Sequence, residues 1–371
     1  MNEKKVRWGI LGGAQIARKN WKAIQNSGNG SVIAVASRDL ARAREFVADC
    51  QKQAPMDSDP RALGSYEELV GSPDVDAVYI PLPTGLRKEW VLRAAEAGKH
   101  VVCEKPCAIS PGDLREMIDT CRQHRVQFMD GVMFMHSVRL KKIREVLDRG
   151  GVGEIKRITS AFSFAGTSEF FASNIRVNPV LEPYGSLGDL GWYCIRLALW
   201  TMKEQMPCAV TGRILKASET KAGQKETPSE FSGELLFDHG ISSSFYCSFV
   251  TSIEQWAQIS GSTGVLRMAD FVLPFFGCEN IFETNNPVFA IEGCDFNMEP
   301  HWQKFSTPEY SNSHPSSQET NLFRNFAAQI LSGKLNETWP EIAFKTQQVM
   351  DACFQSAHQA SQRITITQPA S

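Results

Sequence analysis

The first 130 residues alternate short apolar runs with longer amphipathic stretches, and this alternation constrains the fold more than any other feature. The runs have strand length, and helical periodicity lies between them. Because a strand, a helix and a further strand in succession form a βαβ unit, the pattern predicts a parallel, doubly wound sheet. Residues 52–64 show neither period, and we expect an irregular connection there. The predicted strands are Val6–Leu11, Ser31–Ala36, Ala77–Leu82, Val101–Lys105 and Val126–Val132.

The first strand runs directly into the turn Gly12-Gly13-Ala14-Gln15-Ile16-Ala17, which opens a helix. Against the pattern G-x-G-x-x-G/A, Gly12 and Ala17 fit, and Ala14 takes the place of the second glycine. Small residues let the backbone approach a pyrophosphate, and the start of the helix offers free N–H groups to it. We therefore predict dinucleotide binding at this turn, although a plain strand-to-helix turn would look similar.

The second strand ends in Ser37-Arg38-Asp39. In an NAD-selective fold, a carboxylate at this strand end binds the ribose 2′-hydroxyl. Here a hydroxyl and a guanidinium occupy the position, and both suit a 2′-phosphate. Asp39 comes one position later and is predicted to cap the next helix. The sequence therefore favours NADP, with NAD as the alternative.

The stretch Val101-Val102-Cys103-Glu104-Lys105-Pro106 predicts a buried strand that stops at the proline, which cannot extend a central strand. Lys105 would then lie at the carboxyl edge of the sheet, where open α/β sheets bind ligands. A lysine at that edge is suited to proton transfer or to orienting a substrate hydroxyl. A lysine exposed to solvent at a strand end is the alternative.

After Gly150-Gly151 the pattern changes to strands with alternating residues and hairpin turns. We predict two domains: residues 1–130 bind a dinucleotide, and residues 131–371 form an α+β domain with a mainly antiparallel open sheet for substrate binding and oligomerisation. An apolar helix, Asp189–Met202, interrupts the strands. Asp189 and Tyr193 are four residues apart, which places them on one helix face. Asp189 could equally be a buried acid at the start of the helix, and Tyr193 a core residue whose hydroxyl has a hydrogen-bond partner.

Composition argues against several functions. Lys and Arg number 39 against 41 Asp and Glu, a net charge of -2 that gives no reason to expect nucleic acid or membrane binding. The ten cysteines form no C-x-x-C pair, and the histidines lack metal-ligand spacing, so we expect reduced cytoplasmic thiols and no metal. Residues 1–7 lead straight into the first strand, so we expect no signal peptide.

The Gly-Ile-Leu-Gly-Gly-Ala-Gln-Ile-Ala turn, the Glu104-Lys105-Pro106 strand end and the Gly188-Asp189-x-Gly191-x-Tyr193 helix together resemble the glucose–fructose oxidoreductase, inositol dehydrogenase and MocA (Gfo/Idh/MocA) family. The stretches 129–133, 174–177 and 188–196 resemble the branch that holds NADP-dependent D-xylose dehydrogenases and dimeric dihydrodiol dehydrogenases. The resemblance covers essentially the whole chain. It implies a Rossmann domain, hydride transfer between a nicotinamide and a hydroxyl-bearing carbon, and often a dimer built on the open sheet. We therefore expect a homodimer or a higher homo-oligomer through the C-terminal sheet.

The resemblance also implies roles for individual residues. Lys105 corresponds to the active-site lysine, with Asp189 and Tyr193 as further catalytic groups. Thr84 and Arg87 depart from the Asn and His that are common at their positions. The weaker expectations for the substrate pocket are Arg176, Phe162 and Phe164. The expected cofactor-binding residues are Gly12, Gly13, Ala14, Gln15, Ile16, Ser37, Arg38, Pro81, Pro83, Thr84, Arg87, Glu104 and Lys105.

The expected reaction is the oxidation of a sugar or polyol hydroxyl that lies between Lys105 and Tyr193. A free tyrosine has a pKa of about 10, and a neighbouring ammonium would lower it by stabilising the phenolate. A trans-dihydrodiol or other non-sugar dehydrogenase is the alternative within enzymes. A non-catalytic NADP-binding sensor or partner-binding protein is the alternative from another class.

Overall fold

A computed structural model describes residues 4–218 and 226–366, so residues 1–3, on which the expectation about a signal peptide partly depends, lie outside the described residues. The chain divides into two compact units, each built from more than one segment. The first unit comprises Met1–His136, Val180–Glu182 and Tyr310–Gln347. The second comprises Ser137–Pro179, Pro183–Glu309 and Gln348–Ser371. Within the described ranges, no helix combines the length and the apolar character needed to cross a membrane.

The first unit contains a six-stranded parallel sheet in the order β3-β2-β1-β4-β5-β6, which confirms the predicted Rossmann-like architecture. The expected irregular connection at 52–64 is wrong at its end, where three residues pair with β2 as an edge strand that is too short to show a period. The strands are β1 (Val6–Leu11), β2 (Gly30–Ala36), β3 (Arg61–Leu63), β4 (Ala77–Ile80), β5 (His100–Cys103) and β6 (Phe128–Asp130).

Local chemistry accounts for where the helices begin. Asp39 caps α2 by accepting a hydrogen bond from the Ala41 N–H, as predicted, and Ser110 caps α5. Pro83 precedes α4, which begins at Thr84. The helices are α1 (Gln15–Asn26), α2 (Leu40–Gln53), α3 (Tyr66–Val70), α4 (Thr84–Glu96), α5 (Pro111–Gln123), α6 (Val138–Asp148), α7 (Ser168–Ser173), α8 (Trp192–Thr201), α9 (Gln318–Leu331) and α10 (Thr338–His358).

Helix α9 belongs to the first unit although it comes late in the chain. Its Phe323 meets the Trp8 ring edge-on at 5.2 Å, and Phe326 lies 5.4 Å from the same ring. All three side chains are buried in the core of the first unit. Residues 310–347 therefore complete the first unit, and the linear division at residue 130 stays a prediction about the folding domains.

The second unit contains a nine-stranded sheet in the order β16-β13-β12-β11-β7-β10-β9-β8-β17. Its strands pair antiparallel except for β7 with β10, as expected for a mainly antiparallel sheet. The sheet strands are β7 (Ile155–Ser163), β8 (Ala209–Ala217), β9 (Pro228–Leu236), β10 (Ser242–Ser248), β11 (Ala257–Gly261), β12 (Val265–Met268), β13 (Glu279–Asn285), β16 (Trp302–Pro308) and β17 (Ile364–Thr365).

The two faces of this sheet differ in polarity. Helices α6 and α8 pack on one face, which buries residues such as Phe245 of β10 and Phe282 of β13. The opposite face, here called the open face, carries a polar row in register across the strands. The row runs through Glu234, Ser244, Thr159, Gln258, Arg267, Glu283 and Lys304. The open face of these central strands is thus polar along this row.

The predicted helix at Asp189–Met202 is wrong in its first turn. Leu187–Gly191 is a π-helical turn, and the regular helix α8 begins only at Trp192. Single π turns inside helices are uncommon and occur often at functional sites. Asp189 therefore lies in the wide turn, and Tyr193 lies in the first turn of α8.

A chain of buried polar side chains runs beneath the carboxyl ends of the parallel strands. Asn20 of α1 donates to the Tyr79 hydroxyl at 2.7 Å, and that hydroxyl donates to the Glu104 carboxylate at 2.6 Å. Burial and the nearby Glu104 charge raise the pKa of Tyr79 well above its usual value, so the phenol stays a neutral donor. A Cβ at Gly131 would come within 2.9 Å of a Glu104 oxygen, so only glycine leaves room for this carboxylate.

Replacing Tyr79 with Phe should destabilise the first unit by about 2 kcal/mol, because a buried carboxylate loses a hydrogen bond and Asn20 loses its acceptor. The measurement is the free energy of unfolding from urea titration of the purified protein, followed by the fluorescence of the buried tryptophans.

The matched control is Tyr310→Phe, which removes the hydroxyl of a ring that is about half exposed. It should change the free energy of unfolding by less than about 0.5 kcal/mol. Equal effects of the two substitutions would show that the buried chain contributes nothing particular to stability.

Candidate active site

The turn after β1 has the conformation that a phosphate-binding turn needs. Gly12 adopts a φ of 103°, which favours glycine, and its N–H donates to the Ala36 carbonyl at 2.8 Å. A Cβ at Gly12 would lie 3.1 Å from the Leu82 side chain. Ala14 precedes α1 without a side-chain cap, and the first turn of α1 carries no acidic residue. The N–H groups at the start of α1 are thus suited to an anion.

Gly13 and Gln15 are exposed at this turn, and Ala14 is half-buried. Ile16 packs its side chain against the core of the first unit instead. The exposed residues and the backbone could therefore meet a dinucleotide, whereas Ile16 holds α1 on the sheet.

At the end of β2, the only carboxylate of the Ser37-Arg38-Asp39 stretch is already engaged. Asp39 accepts from the Ala41 N–H at 2.8 Å as the cap of α2, and its N–H lies 3.4 Å from the Ser37 hydroxyl. Arg38 is exposed. This strand end presents a cation and a hydroxyl, which is the arrangement that a 2′-phosphate requires.

Tyr66 is a neighbour of Arg38 that sequence reasoning missed. Burial raises the pKa of Tyr66, and the Arg38 guanidinium hydrogen-bonded to it acts in the opposite direction with a smaller effect. The Tyr66 hydroxyl lies 3.7 Å from the position of a Cβ at Gly12. Arg38, Tyr66 and the glycine turn therefore share one end of the sheet.

The end of β4 is tied to the end of β5 by Arg87, which is buried. Its guanidinium donates to the Leu82 carbonyl at 2.7 Å, to the Thr84 hydroxyl at 2.9 Å and to the Pro106 carbonyl. Pro81 is buried, and Pro83 precedes α4. These contacts hold the backbone of both strand ends, so the structural role of Arg87 is clear, while direct contact with a cofactor stays a prediction.

Glu182 is a second residue at this site that sequence reasoning missed. Its carboxylate accepts from the Thr84 N–H at 2.9 Å and from the Thr84 hydroxyl at 2.6 Å, so it caps α4. Glu182 is separated from Thr84 by 98 residues of chain. Residues 180–182 belong to the first unit, and the sequence contains no pattern that would have placed them there.

β5 ends at Cys103, two residues before the predicted strand end at Lys105, and Lys105 is half-buried. Its N–H lies 3.3 Å from the second oxygen of Glu104, whose first oxygen accepts from Tyr79. The Lys105–Pro106 peptide bond is cis. Glu104 is therefore occupied within the protein, where it fixes the backbone from which Lys105 projects.

In the second unit, the π-helical turn brings Asp189 to Arg176. The Arg176 Nε donates to the Asp189 carboxylate at 2.8 Å, in an ion pair that is partly open to solvent. Tyr193 is buried, and its ring meets Phe162 edge-on at 5.6 Å. An acid, a cation, a phenol and an aromatic ring are thus present around the start of α8.

Phe164 belongs to a different group of side chains. Its ring lies 5.2 Å from that of Phe249 and 5.4 Å from that of Phe170. The structure therefore pairs Phe162 with Tyr193 and places Phe164 in an aromatic cluster with α7. Within the part of the chain that the structure describes, no group of three or more His, Cys, Asp or Glu side chains could hold a metal ion.

Two family models match the chain, one in each half of the sequence. Residues 6–132 match an oxidoreductase family with an NAD-binding Rossmann fold, and residues 140–267 match the GFO/IDH/MocA C-terminal domain.

Curated relatives support the same assignment. The chain is 31% identical to trans-1,2-dihydrobenzene-1,2-diol dehydrogenase from Mus musculus over 72% of this chain and 76% of that enzyme. It is also 31% identical to D-xylose 1-dehydrogenase (NADP(+)) 2 from Haloferax volcanii over 71% of this chain and 75% of that enzyme.

Solved structures share the fold. Aldose-aldose oxidoreductase from Caulobacter crescentus, complexed with glycerol, gives a TM-score of 0.79 at 20% identity and covers 98% of this chain and 100% of its own. A 3-ketoreductase from Actinomadura kijaniata, with NADP and TDP-benzene, gives a TM-score of 0.78 at 24% identity and covers 95% and 98%. The glycine turn, the strand end at Lys105, the π-helical turn before α8 and these matches lead to one assignment: the chain belongs to the Gfo/Idh/MocA family of oxidoreductases.

Proposed function

We propose that this protein is an NADP-dependent dehydrogenase that acts on a CH–OH group of a sugar or related polyol, similar to D-xylose 1-dehydrogenase. The observation that carries the cofactor preference is the end of β2, where Asp39 caps α2 and Arg38 is left exposed beside Ser37. The named Haloferax relative is an NADP(+) enzyme, and the Actinomadura ketoreductase was solved with NADP, which supports the same preference.

The glycine turn would receive the pyrophosphate, since no Cβ fills the space above Gly12 and the start of α1 is uncapped. The end of β4, from Pro81 to Thr84, would lie beside the nicotinamide. When bound, the nicotinamide takes up the hydride that leaves the substrate carbon. The chain itself must then bind the substrate hydroxyl, remove its proton and keep the reacting carbon in place.

We assign the proton chemistry to Lys105 and Tyr193. The Lys105 ammonium would donate to the substrate oxygen, and the Tyr193 phenolate would take the hydroxyl proton. A tyrosine titrates near pH 10, so a base of this kind needs a cation that stabilises its phenolate. Asp189 with Arg176 would bind a second hydroxyl of the substrate, because a paired carboxylate and guanidinium offer both acceptors and donors.

A trans-dihydrodiol or other non-sugar dehydrogenase is the second candidate. The specific observation that favours it is the edge-on packing of Phe162 on Tyr193, which gives this part of the second unit an aromatic surface. The relative from Mus musculus carries that activity in its name. A screen of NADP reduction over aldoses, polyols and cyclic diols separates the two candidates, and no reduction with any substrate would favour a non-catalytic protein.

We propose further that the protein is a homodimer through the open face of the nine-stranded sheet, and that it is cytoplasmic. The ten cysteines are all free thiols, which suits a reducing compartment.

Replacing Arg38 with Ala should weaken NADP binding by about 10–100-fold, because a charge-assisted hydrogen bond contributes about 1.5–3 kcal/mol. NAD binding should change little, since NAD lacks the 2′-phosphate. Dissociation constants of both cofactors from calorimetry test this prediction. Arg42→Ala is the control. It also removes an exposed guanidinium, but this one lies in α2, 3.8 Å from the Asp39 carboxylate, and not at the end of β2. Equal losses for NADP and NAD in Arg38→Ala would contradict the assignment.

Lys105→Met and Tyr193→Phe should each slow hydride transfer by about 10²–10⁴-fold, the range for acid–base groups. The double variant should be little slower than the slower single variant, because groups that act on one proton transfer are not additive. Rates from single-turnover NADP reduction, with melting temperatures of all variants, test this prediction.

The control is Lys88→Met, which removes a half-buried ammonium that pairs with Asp113 and Glu116. It should keep the full rate. If Tyr193→Phe keeps the full rate but has a lower melting temperature, the Tyr193 hydroxyl has a structural role in the core and not a catalytic one. Full turnover by Lys105→Met would end the catalytic assignment of Lys105.

A further inference from the structure

A two-stranded hairpin, here called the arm, extends from one edge of the nine-stranded sheet. It comprises residues 286–301, with strands β14 (Val288–Glu292) and β15 (Asp295–Glu299). The last pair of the large sheet is Asn285 with Trp302, and the first pair of the arm is Val288 with Glu299. Each strand advances by three residues between these pairs, so the arm continues the register of β13 and β16.

The base of the arm is fixed. The Asn286 side chain donates to the Gly151 carbonyl at 3.0 Å and to the Thr263 carbonyl at 3.1 Å. The His301 N–H donates to the Asn285 side chain at 2.8 Å. The arm is therefore held in a defined direction relative to the sheet of its own unit.

One face of the arm is apolar and uncovered. Because paired residues share a face, Phe289 and Met298 lie beside Ile291 and Phe296, and the two phenylalanine rings stack at 5.9 Å. Their exposed fractions are 55%, 67%, 59% and 70% in that order. An isolated two-stranded hairpin is only marginally stable in water. An arm built in this way needs a surface that covers it.

The same unit carries a cavity of about 850 Å³ on the open face of the sheet. Its floor includes Ile281 of β13, and its rim carries Phe275 and Phe276, which are 63% and 89% exposed. The rim is anchored, since the Asp270 carboxylate accepts from the Phe275 N–H at 2.8 Å and pairs with the buried Arg139. The cavity thus has an exposed aromatic rim and an apolar floor at Ile281, and side chains of the polar row, Gln258, Arg267, Glu283 and Lys304, also line it.

The arm cannot fill the cavity of its own chain. The cavity ends at Glu283 of β13, and the apolar face of the arm begins at Phe289, six residues or about 20 Å farther along the hairpin. The continuous register directs the arm away from the cavity. The arm of one copy could instead cover the cavity of a second copy. A two-fold axis would make the two contacts equivalent and would close the pair.

The area is sufficient for a stable pair. Four side chains exposed by more than half present about 400 Å² of apolar surface per arm, given about 150–250 Å² for an aromatic side chain. Two arms and two matching cavities would together bury about 1,600 Å², which is the size of a standard specific interface. A patch of this kind is at the upper end of what soluble monomers leave exposed.

We propose that the apolar face of the arm docks into the cavity beside Phe275 and Phe276 of a second copy of this chain, and that the second copy returns the same contact. The inference rests on the proposed homodimer, which it deepens by naming the contact, and it is independent of the proposed dehydrogenase activity.

The molar mass measured by light scattering over about 1–50 μM protein tests the docking. The native protein should have a molar mass of twice 41.3 kDa. Phe296→Glu on the arm and Phe276→Glu at the cavity should each raise the dimer dissociation constant at least about tenfold, because each buries an unpaired charge. Asn297→Glu is the control on the opposite face of the same arm, and it should leave the mass unchanged.

A dimer that withstands both Phe296→Glu and Phe276→Glu would overturn the arm contact and leave the sheet dimer standing. A native chain that is monomeric at every concentration would overturn both, whether or not it reduces NADP. Binding of the native monomer to lipid vesicles or to other proteins, lost in Phe296→Glu, would assign the arm to those partners instead.

Two native cysteines provide an independent readout. Cys294 lies at the turn of the arm and Cys278 lines the cavity, and of the ten cysteines these two alone are exposed. A bismaleimide should give a covalent dimer with a 278–294 link. Neither the Cys278→Ser variant nor the Cys294→Ser variant should form this covalent dimer alone. A mixture of the two variants should form it, because each supplies one of the two cysteines. Links only between two copies of Cys294, or only within one chain, would contradict the proposal.

Discussion

The buried hydrogen bond between Tyr79 and Glu104 is the interaction on which the first unit depends at its functional edge. Both groups lie at the ends of parallel strands, and the carboxylate would be costly to bury without donors. Tyr79 supplies one donor and the Lys105 N–H approaches the other oxygen. Gly131 leaves the space in which this carboxylate fits. The backbone that carries Lys105 is thereby fixed from below by side chains that never reach solvent.

Buried side chains also fix the backbone at the neighbouring strand end, after β4. Arg87 uses its guanidinium on carbonyl groups of both strand ends, and Glu182 caps the helix that follows. The charged residues nearest to the strand ends thus mostly serve the backbone, and they leave exposed what a dinucleotide would need: a glycine turn, an uncapped helix start and the guanidinium of Arg38.

Much of this arrangement could be predicted from the sequence, because it depends on local patterns. The parallel sheet, the turn at Gly12, the cap at Asp39 and the strand end at Lys105 each follow from residues adjacent in the chain. Glu182 and Tyr66 could not be found, since they reach the site across long stretches of sequence without a pattern of their own. The π-helical turn at Asp189 was also missed, because its residues have ordinary helical character and only tertiary packing selects the wider turn.

In the C-terminal region, too, local sequence patterns do not predict which surfaces pack together. Helix α9 reads as an ordinary amphipathic helix, and only the packing of Phe323 on Trp8 assigns it to the first unit. Residues 286–301 carry alternating apolar residues whose cover lies outside the chain in our proposal. A sequence can indicate an apolar face, but the partner of that face depends on surfaces that form only after folding.

Transfer of the hydrogen itself is the most direct test of the proposed dehydrogenase. Aldoses, polyols and cyclic diols that carry deuterium on the carbon to be oxidised would be incubated with the protein and NADP, and the reduced cofactor would be analysed by mass spectrometry. For a substrate that is turned over, we expect the deuterium in the reduced nicotinamide. Deuterium released to water, or no reduced cofactor with any of these substrates, would contradict hydride transfer by this protein.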